Sequence, residues 1–280
     1  MSDPKLSIIS PVYNGERFIE GCIQSVIDQH CPVVEHIILD GNSTDKTVEI
    51  IKRFAGQHPH IRWISEKDNG LSDAMNKGMA ISKGKIITFL MVDDFFEPNV
   101  LNKIAAIFET LPEPSFVVGN CNVWDDDGKL LRVNRPRKNS IAHWLVGGTI
   151  NHWPENPSAY FYHKSLHDTI GPYDIEIQDG MDVPFLFKAI EAVPFTYIDE
   201  TWGNFRLIKG TKTYEFQKSG KDKLLEEEML KQYLKKFPRW QQIQIRILRA
   251  TLPRIKYFVL HPLELPSSLL RKIKKLFVKK

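Results

Sequence analysis

The sequence is poor in cysteine and has no long apolar segment. Both absences limit the classes of protein to which it can belong. Its three cysteines, Cys22, Cys31 and Cys121, form no C-x-x-C pair and have no metal-site spacing. An odd and sparse set of this kind indicates free thiols in a reducing compartment. A bilayer-spanning helix needs a run of about 18 apolar residues, and the sequence has none. Because the first residues also lack the pattern of a signal peptide, we expect a cytoplasmic protein.

Two nucleotide-binding signatures are absent as well. No G-x-G-x-x-G motif follows a predicted strand, which disfavours a dinucleotide-dependent oxidoreductase. The first predicted strand is not followed by a glycine-rich loop with a basic residue, which disfavours a nucleotidyltransferase. With 280 residues, 42% of them hydrophobic and 26% charged, the chain suits one large α/β domain or a domain with an appendage.

Charge is spread unevenly along the chain. The net charge is +4, yet residues 235–280 hold 13 lysines and arginines and one acid. The remaining residues therefore carry a net charge of −8, from 33 acidic and 25 basic side chains. An acidic body without a recognition motif disfavours nucleic-acid binding by the basic tail.

Residues 240–280 mix basic and apolar side chains at helical spacing. Leu269, Ile273, Leu276 and Phe277 fall on one stripe of a predicted helix, with lysines opposite. Amphipathic helices of this composition lie in the membrane interface and favour anionic lipid. We therefore predict that this tail binds an anionic membrane surface, which would make the protein peripheral on the cytoplasmic face of the cell membrane. A packing helix or a solvated tail is the alternative.

Strand-like and helix-like segments alternate in the N-terminal part of the chain. Buried strands are predicted at residues 6–12, 36–39, 61–64 and 85–92, and helices at about 16–29, 45–55, 71–82 and 98–109. Ser43, Thr44 and Asp45 are N-cap candidates of the second helix. This alternation predicts βαβ units and an α/β fold with a mostly parallel sheet flanked by helices. Further along, we predict strands at 115–123 and 195–198, helices at 166–170, 181–192 and 219–236, and an irregular segment at 135–157.

The apolar run 85–92 ends in a pair of acids, Asp93 and Asp94. Ligands of open α/β sheets bind beyond the carboxyl ends of the strands. Two adjacent carboxylates are costly to bury there unless a positive charge neutralises them, and Mg²⁺ or Mn²⁺ carrying a diphosphate would do so. Taken alone, the dipeptide is more often a solvated turn that caps the next helix.

Three other predicted strands end in small, polar or acidic residues, in segments 11–15, 40–45 and 66–70. Together with the acid pair, these segments would line one edge of the sheet. Carboxylates suit the N–H and O–H donors of a nucleotide's ring and ribose. The phosphates would need a metal, because this edge is acidic.

These ordered segments resemble family 2 of the inverting glycosyltransferases, which have the GT-A fold. The matching segments are residues 7–15, 37–47, 65–78 and 84–94. The resemblance is strong over about 5–98 and weaker to about 210. It implies a Rossmann-like GT-A domain over 1–215, with nucleotide-sugar binding in 1–98 and the acceptor side in 99–215, followed by a basic helical appendage over 216–280.

The resemblance implies roles for the residues that follow the first two strands. Pro11, Val12 and Tyr13 would border the nucleobase. Asp40 would bind the base or support its pocket. The chain has Gly41 after this aspartate, where many members of the family have a second acid and others have glycine.

The resemblance also implies roles for later residues of the same half. Asp68, Asn76 and Lys77 would lie near the base and the diphosphate, although Lys77 could be a solvated helix residue. Asp93 would contact the ribose or the sugar and approach the metal, and Asp94 would ligate Mn²⁺ or Mg²⁺.

Inverting transfer needs a carboxylate that deprotonates the acceptor hydroxyl from the far side of the donor. In the resembled family this acid precedes a helix well after the metal motif. Asp182 is the candidate here, although Pro184 departs from the residues that usually follow this acid in the family motif. Asp179 is the rival, and Asp182 could instead only cap its helix.

Other side chains of the second half also have two interpretations. Arg206 or Lys209 could neutralise the departing phosphate, or belong to an ordinary basic loop. Trp144, Trp153 and Tyr160 could stack on sugar faces, or be core residues.

The resemblance implies an enzyme of polysaccharide or cell-surface glycan biosynthesis. It would transfer a hexosyl group from a nucleotide-sugar, with UDP as the default nucleotide, to a glycan or lipid-linked saccharide with inversion. Met91 and Val92 stand where many members have Asn-Ser, which removes polar groups beside the metal. This departure and Pro184 motivate the alternative hypothesis of a non-catalytic scaffold that binds a nucleotide-sugar or a glycan.

Overall fold

The computed structural model describes residues 3–147 and 153–260, with only the backbone described for 253–260. The described residues form one mixed sheet of nine strands. These are β1 Leu6–Val12, β2 Val34–Asp40, β3 Ile61–Ser65, β4 Ile86–Phe89, β5 Phe95–Phe96, β6 Phe116–Trp124, β7 Leu130–Asn134, β8 Tyr160–His163 and β9 Thr196–Arg206. The strand order is β3-β2-β1-β4-β8-β6-β9-β5, with β7 beside β6.

Helices alternate with the strands in the first half and connect them less regularly in the second. They are α1 Ile19–Ile27, α2 Thr47–Gln57, α3 Leu71–Ile81, α4 Val100–Phe108, α5 Ile141–Val146, α6 Leu166–Ile170, α7 Asp182–Ala192, α8 Lys212–Lys218, α9 Lys221–Leu234 and α10 Arg239–Leu260, with a 3-10 helix at Pro157–Ala159.

Strands β1 to β4 are parallel neighbours, and their carboxyl ends form one edge of the sheet. The register places Val12 opposite Asp40 and Asp40 opposite Ser65. Strand β4 ends before the predicted position, because the chain turns where the Asp94 N–H donates to the Met91 carbonyl. The four strands and the helices between them confirm the βαβ pattern that the hydrophobic periodicity predicts.

Helices cover both faces of the sheet. Successive residues of a strand point to opposite faces, so neighbouring residues of β1 pack against different helices. Ile9 of β1 belongs to a buried cluster that includes Met75 of α3 and Phe185 of α7. The adjacent Ile8 belongs to a second cluster, which includes Ile104 of α4. The buried strands of the first half are therefore apolar on both sides, as their uninterrupted hydrophobic runs indicate.

The second half departs from the sequence prediction in several places, one of them the unpredicted helix α8. The segment 135–157 was expected to be irregular, yet it contains helix α5 and reaches the 3-10 helix. Strand β8 was not predicted, and it pairs antiparallel with both β4 and β6. Strand β9 continues to Arg206, well past the predicted end at 198. The added residues are mostly polar and lack the hydrophobic alternation that would predict a strand. Pairing with β6 extends β9 over them.

The N-cap prediction for α2 is wrong. The N-cap is Lys46, and it makes no side-chain capping bond. The three predicted caps instead tie the loops after β1 and β2 together. The Ser43 hydroxyl accepts the Asn14 N–H at 2.8 Å, and the Asp45 carboxylate accepts the backbone N–H of Glu16 and of Thr47.

The C-terminal helices pack on the main core. Met229, Tyr233 and Ile245 are buried in the same cluster as Phe187 of α7. The Arg249 guanidinium joins α10 to α9 through its ion pairs with Glu226 and Glu227. The predicted stripe of Leu269, Ile273, Leu276 and Phe277 lies outside the described residues. Within the described part, no helix is both long and apolar enough to cross a bilayer.

Candidate active site

A cavity of about 390 Å³ opens beyond the end of β4 and is lined by acids from distant parts of the sequence. Asp93 and Asp94 follow β4, and Asp182 is the first residue of α7. The walls of this cavity also include Leu71, Met91, Arg132, Trp153, Glu155, Asn156, Asp179, Leu186, Phe205, Lys212, Phe216, Asp222 and Glu226. The structure therefore brings the predicted metal pair and the predicted base to one cavity.

Asp94 is buried, and its two carboxylate oxygens accept hydrogen bonds from the second half of the chain. Oδ2 accepts from Asn156 Nδ2 at 2.7 Å, and Oδ1 accepts from the Arg206 backbone N–H at 3.0 Å. Burial and the adjacent Asp93 charge raise the pKa of Asp94 well above its usual range. Burial also raises the pKa of Asp93, against the opposing effect of the Arg206 charge.

This acid pair fits a hard divalent cation. Raised pKa values mean that the two negative charges lack compensation in the protein alone, and a cation would supply it. No group of three or more potential ligand side chains occurs in the described part of the chain. Mg²⁺ and Mn²⁺ sites of nucleotide enzymes use one or two carboxylates plus phosphate oxygens and water, so a pair suffices.

Asn156 is a site residue that the sequence analysis missed. Its Oδ1 accepts hydrogen bonds from the N–H and hydroxyl of Ser158, at 2.8 and 2.6 Å, so the side chain caps the 3-10 helix. This bond fixes the amide so that Nδ2 points at Asp94. The Asn-Pro sequence at 156–157 is a turn signal that could have indicated an ordered segment there.

Asp182 and its rival Asp179 line the same cavity in different settings. The Asp182 Oδ1 is buried and has no hydrogen-bond partner among the described residues. Burial raises the pKa of Asp182 to about 6. Asp179 instead lies 3.9 Å from the Lys221 ammonium. A carboxylate with a pKa just below neutral is suited to general-base chemistry, because it is mostly ionised yet still attracts a proton.

Of the two basic candidates of the second half, Arg206 lies near the acid pair, and neither lines the cavity. The Arg206 guanidinium stacks 4.7 Å from the Phe95 ring centre, and its charge lowers the pKa of both Asp93 and Asp94. The Lys209 backbone N–H donates to the Asp126 carboxylate. Lys212, which the sequence analysis did not select, is the lysine that lines the cavity within the described residues.

The aromatic candidates divide between the core and the cavity. Trp144 is buried against Phe187 and Phe195, and Tyr160 is buried against Phe116, so both are core residues. Trp153 lines the cavity.

The end of β1 and the loop after β2 lie side by side at the strand-end edge of the sheet. Pro11 and Val12 are buried at the end of β1, whereas the Tyr13 side chain is 64% exposed. A Cβ on Gly41 would lie 2.7 Å from the Asp68 Oδ2 and 3.5 Å from the Tyr13 ring. The glycine thus leaves room for Asp68 and Tyr13 to approach each other.

Asp40 is buried at this edge. Its Oδ2 accepts the Ser65 hydroxyl at 2.6 Å and the Ser43 backbone N–H at 3.1 Å. The carboxylate therefore joins the loops after β2 and β3.

Asn76 and Lys77 of α3 make contacts within the protein. Asn76 donates to the Tyr173 carbonyl at 2.8 Å and accepts the Tyr173 N–H at 2.9 Å, which ties α3 to the segment before α7. The Lys77 ammonium lies 2.8 Å from Glu66 and 3.3 Å from Asp73. Lys77 is thus held close to the strand-end edge by two carboxylates.

The sequence profile described as Glycosyl transferase family 2 matches residues 7–169, which hold β1 to β4, the acid pair and Asn156. The chain belongs to this family. The match ends before α7, so the segment that carries Asp182 lies beyond it.

Relatives of this family 2 chain include larger proteins. It is 27% identical over 239 residues to the chondroitin synthase of Escherichia coli, an alignment covering 84% of this chain and 34% of that protein. The chain therefore spans about a third of that relative's length.

Two solved structures with nucleotide-sugars bound have the same fold as this chain. S. aureus TarS residues 1–349 in complex with UDP-GlcNAc superposes with a TM-score of 0.59 at 18% identity, covering 75% of this chain and 60% of that one. The mannosyltransferase PcManGT from Pyrobaculum calidifontis, in complex with GDP-Man and Mn²⁺, gives a TM-score of 0.55 at 17% identity, covering 100% and 82%. The GT-A fold predicted from the sequence is confirmed.

Proposed function

We propose that this chain transfers a hexosyl group from a nucleotide-sugar to a hydroxyl of a glycan or lipid-linked saccharide, with inversion, in the synthesis of a polysaccharide or a cell-surface glycan. The observation that carries the proposal is that Asp93, Asp94 and Asp182 line one cavity. The synthase relative supports a role in glycan synthesis, and the UDP-GlcNAc complex of a protein with the same fold supports a UDP-sugar donor.

In the proposed site, Asp94 and Asp93 hold Mn²⁺ or Mg²⁺. The raised pKa values of this pair and the Mn²⁺ complex of PcManGT support the assignment. The bound cation would supply positive charge to the departing diphosphate. Asn156 orients Asp94 by its 2.7 Å hydrogen bond, and the Arg206 charge adds to the positive potential around the pair.

Asp182 acts as the base in this proposal. It removes the proton of the acceptor hydroxyl while the oxygen attacks the anomeric carbon on the face opposite the leaving group. Because burial raises its pKa to about 6, Asp182 is mostly ionised at neutral pH and still basic enough to accept the proton.

The donor's nucleoside would bind in a recess at the strand-end edge, beyond β1, β2 and β3. Pro11, Val12 and Tyr13 would border the base, with the exposed Tyr13 ring available for stacking. Asp68 would accept hydrogen bonds from the base or ribose, and Asp40 would support the recess from below.

In the same proposal, three residues link the recess to the cavity. Asn76 and Lys77 would position the segment near the diphosphate. Asp93 would contact the ribose or the sugar as well as the cation.

We also propose that α10 binds an anionic membrane surface as part of the 240–280 tail. Trp240, Ile243 and Ile247 project from one face of α10 and are 64%, 59% and 56% exposed. Arg239 and Arg246 are exposed on the same helix. Apolar and basic side chains together on an exposed helical face suit the interface of a bilayer rich in anionic lipid.

The reaction is tested by incubating the full chain with UDP-, dTDP- and GDP-sugars and Mn²⁺ or EDTA. We expect one nucleotide class to raise the melting temperature only with Mn²⁺, since ligands that bind the folded state stabilise it. Release of the nucleoside diphosphate in the presence of a saccharide acceptor would then support transfer. Donor binding without turnover across a broad acceptor set would favour the scaffold alternative, and release of pyrophosphate would contradict the proposed reaction.

Membrane binding is tested by sedimentation with phosphatidylglycerol and phosphatidylcholine vesicles. We expect the double variant Trp240→Ala, Ile243→Ala to bind phosphatidylglycerol vesicles about tenfold more weakly, because two large apolar side chains no longer enter the interface. Leu131→Ala, on the exposed β7, is the matched control and should bind as the wild type does. Equal binding of both vesicle types would contradict the charge argument.

A further inference from the structure

Asp222 is an acid from the C-terminal helices that reaches the candidate active site. It lies in the first turn of α9 and lines the same cavity as Asp94 and Asp182. The family 2 profile ends at residue 169, and the domain predicted from the sequence ends at 215. Asp222 thus belongs to neither, although the fold places it at the cavity.

The Asp222 Oδ1 is buried and has no hydrogen-bond partner among the described residues. Asp182 is the other carboxylate of the described chain with a buried, unpartnered oxygen, and it lines the same cavity. Buried polar groups in native proteins are nearly always hydrogen-bonded, so an exception at a cavity wall indicates that a ligand supplies the donor.

Three other acids of this wall have basic partners. Glu155 lies 2.6 Å from the Arg132 guanidinium, and Glu226 lies 3.3 Å from that of Arg249. Asp179 is 3.9 Å from the Lys221 ammonium. The missing donor is therefore particular to Asp222 and Asp182 and is not a general property of the acidic wall.

The elements that carry these two acids approach each other at Gly180. Gly180 precedes α7 with a φ of +69°, and a Cβ there would lie 2.7 Å from Leu225 of α9 and 2.9 Å from Phe216 of α8. The glycine therefore lets side chains of α8 and α9 lie directly against the start of α7, which begins with Asp182.

We propose that Asp222 is an acceptor-binding residue, which accepts a hydrogen bond from a hydroxyl of the acceptor saccharide while another of its hydroxyls approaches Asp182. This inference rests on the proposed transferase function. A hydroxyl-rich, neutral sugar fits the site. A uronate fits less well, since its carboxylate has no proton to donate to Asp182 or Asp222.

The test uses p-nitrophenyl glycosides of glucose, galactose, N-acetylglucosamine and glucuronic acid as acceptors for the full-length chain. With the neutral glycoside that the wild type uses best, Asp222→Asn should raise the acceptor KM about 10- to 100-fold, the loss of one hydrogen bond to a charged group. The kcat and the donor KM should change little. The melting temperature should change little, because the amide of asparagine has nearly the size and shape of the carboxylate that it replaces. Glu228→Gln, on the exposed face of α9, is the matched control.

The outcomes separate this inference from the function on which it rests. An active wild type with an unchanged acceptor KM in Asp222→Asn overturns the role of Asp222 alone, as does a preference for the glucuronide. A lowered melting temperature with reduced donor binding would make Asp222 a structural residue and also overturn it. A wild type that transfers to no acceptor overturns this assignment together with the proposed function.

Discussion

The two halves of the chain build their parts of the cavity in different ways. Up to the acid pair, four parallel strands in register carry polar residues to one edge, so position along a strand decides where each side chain lies. Beyond Asp94, the contributing residues come from a 3-10 helix, the end of β9 and the starts of α7 and α9. Because the βαβ units repeat regularly, the positions of the site residues in the first half can be predicted from the sequence. In the second half, these positions depend on tertiary packing.

The halves meet at Asp94. This residue of the first half receives both of its hydrogen bonds from the second, through Asn156 and the Arg206 backbone. Substitutions that act on one half, on the other or on their junction should therefore have separable effects.

The largest effect is expected from Asp94→Ala in the first half. Losing a cation ligand should lower transfer by roughly 1000-fold or more, since the charge on the leaving diphosphate would be uncompensated. Activity measured across a Mn²⁺ titration checks this, with Asp127→Asn in the exposed hairpin turn as the control. A variant that stays active after EDTA treatment would show that the proposed metal role is wrong.

In the second half, Asp182→Asn should lower transfer by about 100- to 10,000-fold by removing the base. Donor binding depends on the first half and should be retained, as measured by thermal stabilisation with the nucleotide and Mn²⁺. In the wild type, kcat/KM should fall as the pH drops through about 6, because protonated Asp182 cannot accept a proton. A fully active variant would transfer the assignment to Asp179 or to neither acid.

The junction is tested by Asn156→Ala. We expect the Mn²⁺ concentration for half-maximal activity to rise about 10- to 100-fold, the usual cost of losing a residue that orients a metal ligand. Asn102→Ala, in the distant α4, should leave the Mn²⁺ requirement unchanged. If Asn156→Ala altered only the acceptor KM, the two halves would be less coupled at Asp94 than the hydrogen bonds indicate.

The smallest effect is on stability. Burial raises the pKa of Asp182 from 3.8 to about 6, so the folded state binds this proton more tightly than the unfolded state does. The contribution of Asp182 therefore weakens the fold as the pH rises from about 4 to 6, by at most about 3 kcal/mol above that range. Asp182→Asn should have a higher unfolding free energy than the wild type at pH 8 and an equal one near pH 4. Urea denaturation at the two pH values measures this difference.

A constant difference between the proteins at pH 4 and pH 8 would contradict the assignment of that stability cost to ionised Asp182. Asp127→Asn is again the matched control, because its carboxyl group is exposed in the hairpin turn and should show no such gain.

Hydrophobic periodicity in the sequence was sufficient to predict β1 to β4 and α1 to α4, but not the short β5, which forms by pairing with the distant β9. The uninterrupted apolar run before Asp93 and Asp94 also indicated a buried strand whose end faces a ligand. These are local properties, because neighbouring residues decide both periodicity and the polarity of a strand end. The family resemblance added the expectation for Asp182, which the fold brings to the cavity that the acid pair lines.

Only the tertiary structure revealed Asn156, Lys212 and Asp222 as cavity residues. Strand β8 shows why: its pairing with both β4 and β6 depends on segments far away in sequence, and it carries the 3-10 helix and Asn156 toward Asp94. In the sequence, Asp222 is one of several acids of a charged helix and nothing distinguishes it. Its position at the cavity depends on how α9 packs on the core. Sequence thus determines which segments can be strands or helices, whereas contacts distant in sequence decide which of their polar side chains share a site.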